Sequence, residues 1–175
     1  MQHVSPFRTE QEIAARVTEL ARQIDEDYAG KTVDIVYMLN GGAVFGADLI
    51  RKLRVALRLH PFGFTSYPKP AASGEVRVTL DVAQPLQGCD VLVVEGIVVS
   101  GRTPLYVIDL LRRRGTASIE LCAVGVKRKS LAVELPVKYA AFELGDEIAV
   151  GYGIGEGAEK ALPFLGTRSP DRGTS

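Results

Sequence analysis

Apolar residues recur at helical spacing, Ile13, Val17, Leu20 and Ile24, behind the capping-box pattern Thr9-Glu10-Gln11-Glu12, until Tyr28-Ala29-Gly30 stops the run. The pattern predicts an amphipathic helix. Residues 33–39 (VDIVYML) are a short β-branched run ending in Asn40-Gly41-Gly42, which predicts a buried strand entering a glycine turn. A second helix is expected over 43–53 and a strand over 55–64, interrupted by Pro61 and Gly63. Residues 68–75 (PKPAASGE) have the composition of a mobile loop, with a short strand beyond at 77–80. The clearest strand is 91–95. Thr103 is expected to cap the next helix, with Pro104 at its first position, and 105–114 continue it to Gly115. Another apolar strand over 119–126 ends at Lys127, and shorter ones are expected over 137–142 and 148–151. Residues 167–175 carry few apolar positions and read as a disordered tail after a single domain over 1–166.

Strands alternating with helices imply an α/β fold, a mainly parallel twisted sheet with helices on both faces. Ligands in such sheets bind outside the carboxyl ends of the strands. That rule gathers 39–42, 65–67, 95–103 and Lys127 on one rim. The stretch 96–103 precedes a helix, so its N–H groups and the hydroxyls of Ser100 and Thr103 can converge on an anion. An ordinary strand-to-helix turn explains the same features equally well, and neither a Walker A loop nor a dinucleotide fingerprint is present. Glu95 reads either as a capping or paired carboxylate or as a ligand to hydroxyls or hydrated magnesium. Taken singly, Asp146 and Lys127 read as surface charges and Tyr139 as packing.

Composition narrows the classes. At 175 residues, 46% hydrophobic and 24% charged, the chain can bury the core of one domain. Its longest apolar run is broken by Glu95, well short of the roughly 20 residues of a bilayer span, and no basic hydrophobic leader opens the sequence, so no signal peptide and a cytoplasmic location are expected. Basic and acidic residues balance at 21 each, which argues against a nucleic-acid partner; Arg112, Arg113 and Arg114 suit a helix C-terminus. Cys89 and Cys122 lack paired spacing and are expected as buried thiols, and His3 and His60 lack zinc-ligand spacing.

The combination VLVVEGIVVSGRT over 91–103 resembles the phosphoribosyl-pyrophosphate-binding motif of type I phosphoribosyltransferases. IDEDYAGK, MLNGGAVFGADLIR, TSY, SGEV, VKR and YAAFELGDEIAVGYG with LPFLG, in that order, are similar to the hypoxanthine-guanine branch over almost the whole chain. The resemblance implies that Ser100, Gly101, Arg102 and Thr103 hold the 5′-phosphate, and that Glu95 meets the ribose hydroxyls and a magnesium shell. Leu39, Asn40 and Gly41 match the pyrophosphate loop, where the family often has a cis peptide, and Lys160 aligns with its pyrophosphate arginine. Ser66 and Tyr67 match the mobile loop. Lys127 would donate to the purine O6, Tyr139 would stack on the base, Ala140 and Asp146 would meet its other edge, and Asp146 would also serve magnesium. A small hood is implied from the N-terminal segment and the C-terminal strands carrying Tyr139 and Asp146. The implied partners are phosphoribosyl pyrophosphate, a 6-oxopurine base or its nucleotide, and further copies of the chain in a dimer or tetramer, with Mg2+ as cofactor.

Three positions depart from the family pattern. It usually has a second acid where Gly96 stands, an aspartate that manages the purine N7 proton where Val99 stands, and a lysine where Asn40 stands. Two readings follow: a purine-salvage transferase, slow for want of these groups, or a degenerate homologue that senses nucleotide or phosphoribosyl pyrophosphate. An RNA-binding regulator is a third class, disfavoured by the neutral charge.

Overall fold

In the computed structural model, which describes residues 4–66 and 76–168, the first helix begins where the capping box places it. Thr9 accepts from the Glu12 N–H while the Glu12 carboxylate accepts from the Thr9 N–H, and α1 runs Glu10–Asp27. Ile13, Val17, Leu20 and Ile24 form its buried stripe, each contributing roughly 1.5–3 kcal/mol by leaving water. Arg16 on its flank donates to the carbonyls of Ala140 and Ala141, tying α1 to the outermost strand of the main sheet.

That sheet has six strands in the order β4-β3-β2-β5-β6-β7, namely β2 Thr32–Met38, β3 Ala56–Ser66, β4 Val76–Leu80, β5 Asp90–Val98, β6 Ser118–Val126 and β7 Tyr139–Glu143. All neighbours are parallel except β3 and β4. Helix α2, Gly41–Ile50, packs with α1 over one face; α3, Arg102–Arg112, covers the other. The α/β architecture expected from the alternating pattern is present, with each face carrying its own apolar cluster.

The hood is a separate antiparallel sheet of β1 (Val4–Arg8), β9 (Leu165–Arg168) and β8 (Ile148–Val150). Its makeup corrects two expectations. Thr167 and Arg168 pair with Ser5 and Val4 instead of opening a disordered tail, and Tyr139 belongs to β7 of the main sheet. Residues 1–3, Tyr67 with the whole 68–75 loop, and residues 169–175 lie outside the described residues.

Strand β5 is longer than its apolar core suggested. It continues in register with β6 through Ile97↔Gly125 and Val98↔Val126, which is why buried Val98 is apolar. Thr103 is not the cap of α3. Gly101, at φ +77, takes that place because the chain must reverse through the left-handed region that glycine accepts, and Thr103 and Pro104 fall inside the first turn. Cys122 is fully buried as expected, whereas Cys89 is half-buried and its Sγ lies 3.2 Å from an Arg58 nitrogen. Arg58 grips buried Asp34 with two nitrogens, at 2.9 and 2.6 Å, and His60 Nε2 lies 2.8 Å from the same carboxylate. Burial alone would raise the Asp34 pKa; the Arg58 and His60 hydrogen bonds outweigh it and hold the carboxyl below its ordinary value. His60 is thereby committed to the interior.

Candidate active site

The carboxyl ends of β2, β5 and β6 meet the starts of α2 and α3 on one rim. Glu95 lies one residue beyond Val94, the last β5 residue in register with β2. It is 9% exposed and accepts a hydrogen bond from the Gly96 N–H at 2.7 Å. Burial raises its pKa from the ordinary carboxylate value to about 7, with the Gly96 N–H working the other way. Around it the packing is backbone against backbone. A Cβ on Gly42 would strike the Val94 carbonyl, and one on Gly96 would meet the backbone carbon and oxygen of Gly41 at 2.8 Å. The Leu39–Asn40 peptide is cis, Asn40 is the N-cap of α2, and Gly41 opens the helix. The α2 N-terminus, the Glu95 carboxyl and the Gly96 backbone thus share one small space.

Ser100, Gly101, Arg102 and Thr103 sit together at the opening of α3. Ser100 Oγ accepts from the Arg102 N–H at 3.4 Å, and the Ser100 carbonyl accepts from Ala132 N–H at 2.9 Å. Gly101 is clamped from behind: a Cβ there would lie 3.1–3.2 Å from Val133, Leu131 and Leu135. A left-handed residue at the N-terminus of an eleven-residue helix, backed by apolar side chains, leaves the first-turn N–H groups and exposed Arg102 facing outward. That is an arrangement for holding an anion. Val99 is 46% exposed on the same loop.

A family model for the phosphoribosyl transferase domain matches residues 3–156. The chain belongs to this phosphoribosyltransferase family. It is 37% identical over 165 residues to the hypoxanthine-guanine phosphoribosyltransferase of Dictyostelium discoideum, covering 90% of this chain and 91% of the relative. It is 35% identical over 161 residues to the hypoxanthine phosphoribosyltransferase of Escherichia coli K12, covering 90% of each. A Staphylococcus aureus hypoxanthine phosphoribosyltransferase crystal structure superposes with a TM-score of 0.91 at 29% identity, over 98% of this chain and 94% of that one.

In this phosphoribosyltransferase the other expected site residues divide. Lys127 follows β6, its N–H donates to the Val98 carbonyl at 2.9 Å, and its Nζ donates to the Glu147 carbonyl at 2.5 Å. The backbone of Lys127 is thus tied to the end of β5 and its ammonium to the segment that enters the hood. Tyr139 is elsewhere: it is 2% exposed in the core, and its hydroxyl donates to Asp27 Oδ2 at 2.6 Å. Burial and that hydrogen bond both raise its pKa, so it stays a neutral donor. The ring is unavailable for stacking, because Tyr139 starts β7 opposite Cys122, well short of the strand ends. The Ala140 carbonyl is bonded to Arg16. Tyr139→Phe is accordingly expected to leave kcat/KM unchanged while costing about 1 kcal/mol of stability for the lost hydrogen bond, measurable by denaturant unfolding.

Asp146 is exposed in the β7–β8 connection, and Lys160 is exposed in the short 3₁₀ turn Gly157–Ala161. Ser66 ends β3, opposite Val76. Ile148, which sequence reasoning treated only as a strand residue, is 53% exposed directly after Glu147 and so presents an aliphatic surface beside Lys127. An apolar residue left exposed at the start of a hood strand is the signal that was available.

No acid from elsewhere stands in for those missing at Gly96 and Val99 among the obvious donors. Asp48 binds the Tyr152 hydroxyl and Arg51, Asp81 binds Arg114, and Asp109 binds Arg112. Among the described residues no group of three or more His, Cys, Asp or Glu side chains could cage a metal. A single buried carboxylate, Glu95, fits magnesium in the form it usually takes, with most ligands supplied by water and substrate phosphates.

Proposed function

We propose that this site transfers the phosphoribosyl group of phosphoribosyl pyrophosphate to a ring nitrogen of hypoxanthine or guanine. The bond from the anomeric carbon to pyrophosphate breaks, the bond to nitrogen forms, and the ring N–H proton leaves to water. The observation that carries the reading is Lys127, fixed by Val98 and Glu147 between the anion-holding loop of α3 and exposed Ile148. An ammonium in that place donates to the 6-oxo group of hypoxanthine or guanine, whereas the 6-amino group of adenine offers it another donor. Ser100, Gly101, Arg102 and Thr103 hold the 5′-phosphate, and Glu95 orients the ribose hydroxyls. Leu39, Asn40 and Gly41 at the α2 N-terminus, with Lys160, face the pyrophosphate, and Ser66 ends the strand β3 that runs up to this rim. Mg2+ bound with the donor would supply charge neutralisation for the departing pyrophosphate. Glu95 is the carboxylate nearest to hold it, with Asp146 as a second.

The same reading includes the cytoplasm as the compartment, consistent with two free cysteines, and self-association as a dimer or tetramer. No helix among the described residues is long and apolar enough to cross a membrane.

Competition between guanine and adenine for phosphoribosyl pyrophosphate tests the assignment. The unaltered chain is expected to use guanine and reject adenine. Lys127→Met, which keeps the stem and removes the donor, should erode that preference at least about tenfold. Equal use of both bases by the unaltered chain would overturn the role given to Lys127.

A further inference from the structure

Tyr152 is the only described residue other than glycine with positive φ, at +52. It stands in a two-residue reversal. Gly151 and Ile154 exchange both backbone hydrogen bonds, at 2.9 and 3.0 Å, across Tyr152 and Gly153, whose φ values are +52 and +87. Such a turn needs left-handed backbone at both central positions, where asparagine, aspartate or glycine is the usual first residue. A buried tyrosine there is strained, and strain of this kind persists where the side chain serves a purpose. Its hydroxyl donates to Asp48 Oδ2 at 2.6 Å, on the second turn of α2. Its neighbour Gly153 lies so close to Val44, on the first turn, that a Cβ would come within 2.8 Å of that side chain and 3.8 Å of the Gly41 oxygen. Val44 and Asp48 are four apart and share one face of the helix. The Gly153 N–H also donates to the Lys160 carbonyl at 3.0 Å.

We propose that Tyr152, through its hydrogen bond to Asp48, is a positioning residue that clamps the hood onto α2 and so fixes the α2 N-terminus and Lys160 together as the pyrophosphate-side subsite. The inference rests on the function proposed above. It separates the two ends of the donor: the 5′-phosphate end is held by the α3 loop, which the clamp does not touch, while the pyrophosphate end depends on two elements, α2 and the hood, that one strained turn holds in register.

The test is calorimetric titration of the full chain with magnesium pyrophosphate and, separately, with guanosine monophosphate. Tyr152→Phe is expected to weaken pyrophosphate binding about tenfold, with nucleotide affinity nearly unchanged and the thermal midpoint lowered by only the few degrees that one lost buried hydrogen bond costs. Asp48→Asn retains an acceptor for the hydroxyl and should bind pyrophosphate as the unaltered chain does. Should Tyr152→Phe fail to fold, Asp48→Ala removes the clamp from the other side and carries the same readout. Equal weakening of both ligands, or no change in either, overturns the clamp while leaving the site reading intact. Failure of the unaltered chain to bind either ligand overturns the site reading and the clamp with it.

Discussion

Glu95→Gln is expected to raise stability near pH 8 and to lower kcat/KM by about 10- to 100-fold, the range for losing a hydrogen bond made by a charged group. The two effects share one cause. Glu95 is buried, and burial raises its folded-state pKa to about 7 from an ordinary 4.5. Between those values the folded state holds a proton that the unfolded chain has released, so stability falls as pH rises through this window. The contribution is fully present below about pH 4.5 and lost above about pH 7, a difference on the order of 3 kcal/mol. Glutamine stays neutral throughout and removes that dependence. Thermal midpoints should therefore decline from about pH 4.5 to 8 in the unaltered chain and decline less steeply in the variant. Parallel curves would show that Glu95 is not the titrating group. A buried carboxyl with one backbone hydrogen bond is costly to ionise, and a cation and ribose hydroxyls beside it would offset that cost.

The second large effect concerns the two departures at the rim, which differ sterically. Val99→Asp places a carboxylate on a side chain already 46% exposed, so the fold should accept it. If an acid at this position takes the purine proton, as the family pattern implies, kcat should rise at least about tenfold, the lower part of what general acid-base groups contribute. Gly96→Ala is the opposite case. Its Cβ would meet the Gly41 backbone at 2.8 Å, with no flexible side chain to yield. Overpacking of this kind costs about 1–3 kcal/mol, and displacing Gly41 should weaken pyrophosphate binding as well. Initial rates for Val99→Asp and unfolding midpoints for Gly96→Ala check the pair. A stable, fully active Gly96→Ala would mean that Gly41 has room to move.

Local signals were legible in the sequence and non-local ones were not. Thr9 and Glu12 form the predicted capping box, and the apolar stripe of α1 is buried as its spacing implied. The loop at Ser100 to Thr103 opens α3, but the cap moved to Gly101 because a positive φ outranks a hydroxyl preference. Strands β1 and β9 were missed because each is short and its partner lies at the far end of the chain. Tyr139 was placed on the rim by resemblance, yet the register of β7 sets it opposite Cys122 with its hydroxyl on Asp27. Pairing register across parallel strands cannot be read from one strand alone. Tyr152 has no role in the sequence reading, where it occurs only within the stretch YAAFELGDEIAVGYG, although a tyrosine between Gly151 and Gly153 marks a turn in which a side chain is kept against backbone preference.

The most direct measurement is the initial rate of nucleotide formation by the unaltered chain from phosphoribosyl pyrophosphate and guanine, with and without magnesium. A magnesium-dependent rate above the uncatalysed background, falling in Glu95→Gln and rising in Val99→Asp, is the predicted result. Tight binding of donor and base with no nucleotide formed under any of these conditions would contradict the assignment of transferase activity to this site.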